Sequence, residues 1–451
     1  MPSRAIQRFA GSSASVLLFA AAVSTLYSGA VAAADAPATG NFRAACVKVD
    51  ITPDTPQWLH GYIPRLSEGV HDRIYHRIAA MDDGTTMFFL VSTDICTIDP
   101  NYYDDFCARL ERETGIKPEQ IWWSTTHTHS APHLGPQKVG ALFAKALGDR
   151  FSIKHDTAYW DSVTDKLLKG IEEARSKLEP ARLGIGTGTA QANVNRRQRN
   201  PDGNTVLGVN PDGPVDRQIG LIRLERPDGS LIGLIANYGI HGTALNGGNK
   251  QISADVMGFA GSVVEQKLGK PMLFINGAEG NVAPLHSVGP DINHPLLKTY
   301  ETLLGQQILA ANDSIQKTTA DVSLKIGKAV IETPRRAGLP WIDELAKYAS
   351  VSAEGVNLVR VPVCSLTINK DTVIWAAPLE LFSEIELNVR AASPFKNTFY
   401  FGLTNGSLLY LTTKAAFAEG GYEPSVSIFT DQAESDFTSG VTKYLQELAR
   451  R

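Results

Sequence analysis

Short apolar runs alternate along the chain with longer segments of helical period. Residues 87–91 (Met-Phe-Phe-Leu-Val) and 273–275 (Leu-Phe-Ile) predict buried strands. Residues 219–224 and 231–235 flank the turn sequence Arg-Pro-Asp-Gly at 226–229, which predicts a β-hairpin. This alternation of strands and helices is typical of an α/β fold.

Helical patterns follow several of the predicted strands, at residues 254–268, 295–311, 380–390 and 441–448. The last third of the chain begins with a strand-like segment at 322–331 and adds a second hairpin that turns at 369–372. No internal repeat, low-complexity block or long linker follows the first residues. We therefore expect one large domain, with mixed β-sheets flanked by helices, rather than two smaller domains.

The first 34 residues have the pattern of a secretory signal peptide. Arg4 and Arg8 precede a stretch rich in apolar and small residues at 14–31, and Ala32 to Ala34 form a small-residue cleavage site. The alternative is a membrane anchor, but polar residues and Gly29 interrupt the apolar stretch, and an uninterrupted span needs about 20 apolar residues. We expect a signal peptide over residues 1–34, a mature domain over 35–451, and export to the periplasm or the extracellular space.

The charge of the chain bears on its partners, and its cysteines bear on disulfide formation. The 451 residues carry 43 Lys and Arg against 47 Asp and Glu, a net charge of −4, without a basic cluster, so nucleic acid is excluded as an expected partner. Four cysteines are present, at positions 46, 96, 107 and 364, without CxxC spacing. An export signal permits disulfides, and Cys96 and Cys107 are close enough to close a loop, but free buried thiols fit equally well.

The segment Trp122 to Ser130, which contains His127-Thr128-His129, is the most informative stretch for chemistry. If the strand that starts near Ile121 continues, both imidazoles project from one face, as two ligands of one ion must. Alternatively, one histidine is a core residue and the other lies at a surface turn. Short motifs match often by chance, so this pair needs further ligands.

Further polar groups occur where two more apolar strands end. His241 is followed at once by Gly242, and residues 276–281 form another glycine-rich strand exit. Catalytic groups of α/β proteins commonly lie where a strand ends and a loop begins. A histidine that only caps the strand end is an equally good interpretation of His241 by itself. Three such exits in one fold predict a shared rim.

These segments, in this order, resemble the neutral/alkaline ceramidases, a family of zinc amidases that hydrolyse the N-acyl bond of ceramide. The resemblance runs from about Phe42 to about Ser427, and Thr126 to Pro132 is its most specific part. The segments that carry it are His60-Gly61-Tyr62, Thr126-His127-Thr128-His129-Ser130-Ala131-Pro132, Asn193-Val194-Asn195-Arg196, His241-Gly242-Thr243, Ser253-Ala254-Asp255-Val256-Met257-Gly258, Gly280-Asn281-Val282-Ala283-Pro284, Ala377-Pro378-Leu379-Glu380, Thr404-Asn405-Gly406, Tyr410 and Gly420-Gly421-Tyr422-Glu423.

The resemblance implies one catalytic zinc ion with four protein ligands: His127, His241, Glu380 and Tyr410. It implies that His129 manages the proton passed to the leaving amine, and that Arg196 and Tyr422 donate to the developing oxyanion. Without the resemblance, each of these residues has a structural interpretation. Glu380 would be a carboxylate at a helix N-terminus, and Tyr410 would be a core tyrosine on a strand. Arg196 and Arg197 would form a solvated basic turn.

The resemblance also implies the fold of the ceramidase catalytic domain, and we expect no C-terminal immunoglobulin-like domain after Arg451. Ala283 and Leu379 depart from the family pattern, which has serine and glycine there, so a serine nucleophile at residue 283 is excluded. The expected function is an exported zinc amidohydrolase that converts ceramide-like lipids to fatty acid and sphingoid base, with peripheral membrane contact left open. The alternatives are the same chemistry on another amide, ester or lactone, and a non-catalytic binding protein with this fold.

Overall fold

The fold is that of a computed structural model, which describes residues 40–136, 138–143, 156–287 and 296–451. These residues belong to one compact unit, Ala38–Arg451. The signal peptide predicted over residues 1–34 lies outside the described residues. None of the helices within the described ranges has the length and apolar character needed to cross a bilayer.

The strands form three main sheets and several short ladders. In chain order they are β1 Arg43–Asp50, β2 Trp58–Leu59, β3 Arg65–Leu66, β4 Gly69–Val70, β5 Tyr75–Asp82, β6 Met87–Thr93, β7 Ile121–Thr125, β8 Glu179–Pro180, β9 Arg182–Thr189, β10 Asn193–Arg199, β11 Thr205–Asn210, β12 Gln218–Glu225, β13 Leu231–Tyr238, β14 Gln251–Ile252, β15 Met272–Asn276, β16 Val282–Pro284, β17 Leu324–Pro334, β18 Ala349–Val351, β19 Asn357–Ile368, β20 Thr372–Ala376, β21 Glu380–Leu381, β22 Asn397–Phe401 and β23 Tyr410–Leu411.

The helices connect these strands and cover the sheets. The α-helices are α1 Pro100–Thr114, α2 Lys138–Ala141, α3 Thr157–Ser176, α4 Asp255–Leu268, α5 Gln306–Asp313, α6 Ser383–Ala392, α7 Lys414–Glu419, α8 Tyr422–Ser425 and α9 Ala433–Ala449. A π-helical turn, Glu301–Gly305, runs directly into α5, and Pro118–Gln120 and Asp343–Tyr348 are 3-10 turns.

Each main sheet contains one pair of parallel strands that share an end. The first sheet has the order β7-β6-β5-β1-β8, the second β15-β13-β12-β9 and the third β17-β19-β20-β22. The parallel pairs are β6 with β7, β13 with β15, and β20 with β22, while the other neighbours in these orders are antiparallel. The mixed α/β architecture expected from the sequence is therefore present.

The central core lies where the three sheets meet. Phe88 of the first sheet, Ile235 of the second and Ile374 of the third belong to the same cluster of buried side chains. Helices cover the other side of each sheet: α1 and α3 pack on the first, α4 and α5 on the second, and α6 and α9 on the third. Since apolar faces on both sides of a sheet must be buried, this arrangement explains the continuous apolar runs of the sequence.

Most of the elements predicted from the pattern are confirmed. Both hairpins form, β12 with β13 and β19 with β20, and α4 lies at the predicted place. Helix α9 contains the predicted residues 441–448 but begins earlier, at Ala433. The helix predicted for residues 295–311 begins later, with the turn Glu301–Gly305, and residue 295 lies outside the description. The four cysteines, all within the described ranges, are unbridged.

Two local predictions near the histidines and Glu380 are wrong. Strand β7 ends at Thr125 and does not continue through His129, because His127 has a left-handed backbone conformation, with a φ of 66°. Glu380 does not begin a helix: it lies on β21, which pairs in parallel with β23, and helix α6 starts at Ser383. The pairing with β23 is a long-range contact that overrides the local helical pattern.

The ends of the parallel strands lie next to one another. The Asn276 side chain at the end of β15 donates to the Thr126 carbonyl just after β7, at 3.0 Å. The amide of Gly402, just after β22, donates to the Asn276 carbonyl at 2.8 Å. The loops that carry His127, His241 and Glu380 therefore start from a common rim.

Candidate metal centre

His127 lies in the loop that follows β7, where hydrogen bonds hold its backbone and one of its ring nitrogens. Its backbone amide donates to the Ile95 carbonyl at 3.0 Å, and its Nδ1 lies 3.0 Å from the Cys96 carbonyl oxygen. A carbonyl can only accept, so Nδ1 carries the proton and donates it. The lone pair on Nε2 of His127 is then free for a ligand.

His241 has the same arrangement on a different strand exit. Its Nδ1 donates to the Glu279 carbonyl oxygen at 2.8 Å, which leaves the lone pair on Nε2 free. The ring centres of His127 and His241 are 4.5 Å apart, with the planes at 76°. A backbone carbonyl that fixes the tautomer and ring orientation is the usual support of a histidine that binds a metal.

Glu380 completes a triangle of acceptor atoms. Its Oε2 is 3.3 Å from Nε2 of His127 and 3.4 Å from Nε2 of His241, and it has no hydrogen-bond partner among the described residues. The three atoms lie within 4.8 Å of one another and all three residues are buried. Three buried lone pairs that face each other repel unless a cation lies between them, so this donor set fits a metal ion.

The histidines differ in their proton affinity. Burial lowers the pKa of His241 to about 3, with Arg196 and His127 acting in the same direction, so its imidazole is neutral. For His127, burial also lowers the pKa, but Cys96 and Glu380 outweigh burial and raise the pKa well above its usual value. Without a metal ion, a proton therefore lies between His127 and Glu380, and a bound cation would displace this proton.

Tyr410 lies beside His241, opposite Glu380 in the β21–β23 ladder. Its hydroxyl oxygen is 3.5 Å from Nε2 of His241 and accepts a hydrogen bond from Nη2 of Arg196 at 3.2 Å. Burial and the Glu380 carboxylate raise the pKa of Tyr410 well above its usual value, although Arg196 opposes them. The group is therefore a phenol in the absence of a cation.

Arg196 and Arg197 do not form a solvated turn, because both are buried and share one carboxylate. Glu423, which is 1% exposed, accepts from Nε of Arg196 at 2.8 Å and from Nη1 of Arg197 at 2.6 Å. Arg197 also donates to the Gly420 carbonyl at 2.7 Å. Arg196 is thus directed towards Tyr410, while Arg197 holds the loop before Tyr422.

His129 and Tyr422 are the remaining two residues that the resemblance named. Nε2 of His129 is 3.3 Å from Nε2 of His127, and its Nδ1 has no hydrogen-bond partner within the described ranges. Burial lowers the pKa of His129 well below its usual value, and His127 and His241 lower it further. Tyr422 is 46% exposed, with its ring centre 5.7 Å from that of Tyr410. All seven residues named from the sequence therefore lie in one cluster.

Three further residues belong to this cluster but were given no role in the sequence analysis. The Cys96 sulfur lies 3.7 Å from Nδ1 of His127 and could form a second donor group with His127 and His129. Glu279 orients His241 through its carbonyl, and burial raises the pKa of its side chain well above its usual value. Glu423 lay inside a noted motif, and the third strand exit contained Glu279, but only the fold shows their partners.

Comparison with known proteins places the chain in a family. Residues 42–288 match the family model of the neutral/alkaline non-lysosomal ceramidase N-terminal domain. The chain belongs to this family.

Curated relatives include the neutral ceramidase of Pseudomonas aeruginosa, 26% identical over 266 residues, which are 55% of this chain and 38% of that protein. Neutral ceramidase A of Dictyostelium discoideum is 28% identical over 211 residues, 45% of this chain and 28% of that protein. The matched segments thus span less than half of the length of either relative.

The overall fold is that of a solved member of the family. The crystal structure of neutral ceramidase from Pseudomonas aeruginosa matches with a TM-score of 0.70 and 19% identity, over 91% of this chain and 75% of that one. A structure described as ceramidase complexed with C2 matches equally well, with a TM-score of 0.70 and 19% identity. The expected ceramidase-like α/β fold is confirmed by this likeness.

Proposed function

We propose that this chain is an exported, zinc-dependent amidohydrolase that cleaves the N-acyl amide bond of ceramide-like lipids, releasing a fatty acid and a sphingoid base. One observation carries the proposal: in a chain of the ceramidase family, Nε2 of His127, Nε2 of His241 and Oε2 of Glu380 converge as buried acceptors beside Tyr410. The relatives named neutral ceramidases support the choice of substrate.

His127, His241, Glu380 and Tyr410 would hold a single zinc ion. Two neutral imidazoles and a carboxylate are ordinary zinc donors, and a catalytic zinc site keeps a position for water or substrate. When bound, the ion supplies a positive charge that polarises a carbonyl group and makes water a stronger acid. The phenol of Tyr410 is the one donor of this set that must lose a proton to become an anion.

His129 would move the proton during cleavage of the amide. Hydrolysis transfers the oxygen of water to the acyl carbon, breaks the carbon–nitrogen bond and delivers a proton to the leaving nitrogen. Burial lowers the pKa of His129 and keeps its ring neutral. A ring nitrogen of His129 would accept a proton from water and pass it to the amine. Nδ1 of His127 and Nδ1 of His241 each donate to a backbone carbonyl, whereas Nδ1 of His129 has no hydrogen-bond partner within the described ranges.

Arg196 and Tyr422 would stabilise the negative charge that develops on the carbonyl oxygen. The ion pair with Glu423 fixes Arg196 on the Tyr410 side of the centre, and the partly exposed Tyr422 lies with its ring beside that of Tyr410. Donors that are in place before the reaction commonly contribute about 3 kcal/mol each to stabilisation of the transition state.

The proposal is tested by mass-spectrometric detection of products from the mature, zinc-loaded protein. N-acyl sphingosines are compared with short-chain amides, an aryl ester and a lactone at equal concentration. We expect release of free sphingoid base with a kcat/KM at least tenfold above that for any short amide, because a lipid-sized substrate gains apolar contacts that a short one lacks.

The outcomes separate the proposed function from its alternatives. Turnover of esters or lactones without release of sphingoid base would retain the hydrolase and reject ceramide as its substrate. No turnover of any substrate by folded, zinc-bound protein would contradict the proposal and favour a binding protein. Export is tested separately, by N-terminal sequencing of protein from the host's culture supernatant or periplasm, where we expect a first residue near Asp35.

A further inference from the structure

A short segment, Ser253–Asp255, lies between the two loops that carry the histidines; we name it the bridging segment. On one side it contacts the loop of His127 and His129. The Thr128 hydroxyl donates to the Ser253 carbonyl at 2.7 Å, and the Ser253 amide donates to the Ser130 carbonyl at 2.8 Å. These two bonds attach the segment to the residues on either side of His129.

On its other side, the bridging segment holds the loop that follows His241. Oδ1 of Asp255 accepts from the Ala244 amide at 3.0 Å, and Oδ2 accepts from the Leu245 amide at 2.9 Å. The two histidine loops also touch directly, since the His129 amide donates to the Gly242 carbonyl at 2.8 Å. A Cβ at Gly242 would lie 2.5 Å from the His127 carbonyl oxygen, so the loops are in close contact.

The conformation of Asp255 is unusual for a residue that only starts a helix. Its φ is 54°, in the left-handed region, and its side chain is fully buried. A non-glycine residue in this region costs on the order of 1 kcal/mol or more, and such cost concentrates at functional sites. The carboxylate does accept from the Val256 amide of α4 at 2.7 Å, but a helix cap needs no bonds to Ala244 and Leu245.

We propose that Asp255 is a positioning residue of the metal centre, whose carboxylate fixes the loop after His241 against the loop of His127 and so sets the separation of the two Nε2 atoms. The inference rests on the proposed function for the existence of the centre, and it assigns to Asp255 no contact with metal or substrate. Burial raises the pKa of Asp255 to about 6, so at pH 8 the carboxylate is ionised and accepts all three backbone bonds.

The test is the affinity and the spectrum of a bound metal ion, measured without substrate. Asp255→Asn keeps the size of the side chain but presents an NH₂ group to one of the loop amides. We expect the dissociation constant for Co²⁺ to rise about 10- to 100-fold, as is usual when an outer support of a ligand is lost. We also expect the visible absorption bands of the Co²⁺ protein to shift, because the histidine geometry changes.

A second variant and a matched control separate positioning from folding. Asp255→Ser keeps a polar hydroxyl group at the first residue of α4 but is too short to reach the Ala244 and Leu245 amides, and we expect the same loss of affinity. Val264→Ala, at a buried position on the same helix, lowers the melting temperature without removing a hydrogen bond to either loop. We expect Val264→Ala to bind Co²⁺ with the affinity and spectrum of the wild type.

Wild-type affinity and an unchanged spectrum in either folded Asp255 variant would overturn the inference and leave Asp255 a folding residue. Wild-type protein that binds no Co²⁺ would overturn the metal centre itself, and with it both this inference and the zinc dependence of the proposed function. The Co²⁺ measurements contain no substrate, so they do not depend on which bond the protein cleaves. Failure to hydrolyse ceramide in the separate product assay would refute only the proposed function.

Discussion

The His241→Ala protein is expected to fold normally and to lose hydrolytic activity by roughly 10³-fold or more, about 4 kcal/mol of transition-state stabilisation. The substitution removes one of the three convergent lone pairs and leaves Glu380 with His127 alone. The raised pKa of His127 and the lowered pKa of Glu380 favour a protonated imidazole beside an ionised carboxylate when no cation is bound. The measurements are kcat for sphingoid base release and metal content per chain.

His71→Ala is the matched control for this substitution. The His71 side chain is 42% exposed and lies outside the cluster, so its loss should leave metal content and kcat within about twofold of the wild type. Wild-type kcat in a metal-free His241→Ala protein would show that the chemistry does not depend on this centre.

Glu423→Gln is expected to give the largest loss of stability among single substitutions in the cluster, about 3–5 kcal/mol. Glu423 is the shared partner of two buried arginines, and removal of one member of a buried ion pair leaves the remaining charge unpaired. Arg196 would also lose its orientation towards Tyr410, so kcat should fall together with stability. Urea unfolding gives the free energy of unfolding, and the same samples give kcat.

Glu419→Gln is the control, because Glu419 is partly exposed and its shorter contact is with Arg199, whose side chain is 64% exposed. Its carboxylate lies 3.5 Å from Arg197 and 2.8 Å from Arg199, with the side chain 26% exposed. Exposed pairs contribute at most about 1 kcal/mol. A loss for Glu423→Gln no larger than for Glu419→Gln would mean that the buried arginines are hydrated and that Glu423 does not organise the centre.

Local pattern was sufficient for much of the fold. Apolar runs and turn residues predicted both hairpins, strands β6 and β15, and helices α4 and α9, since these elements form from neighbouring residues. The glycine-rich exits also indicated, from residues alone, that the His127 and His241 segments share a rim. Parallel strands end on the same side, so the ends of β13 and β15 must meet.

Glu380 and Tyr410 could be named only from the resemblance to a family. Their link is the two-residue ladder of β21 with β23, which is too short to leave a strand pattern. The helix predicted from Glu380 was wrong for the same reason, since the apolar periodicity that follows belongs to α6. The sequence pattern also suggested an alternating strand for His127 and His129, whereas a left-handed turn at His127 brings their Nε2 atoms to 3.3 Å.

The supports of the centre were beyond sequence reasoning because each is a contact between distant segments. The Ser253 carbonyl of the bridging segment accepts from Thr128, 125 residues earlier, and Glu423 joins two arginines more than 200 residues away along the chain. Buried carboxylates are uncommon and need partners, but their position in a sequence does not identify the partner.

Titration of metal-free protein with zinc, while sphingoid base release is recorded, tests the central claim most directly. The mature protein is stripped with a chelator, and zinc is returned in fractions of an equivalent. We predict no activity without metal and a linear rise that reaches its maximum at one equivalent per chain, since both candidate donor groups at the centre include His127. Full activity in the stripped protein, or zinc-loaded protein that releases no sphingoid base, would contradict the account.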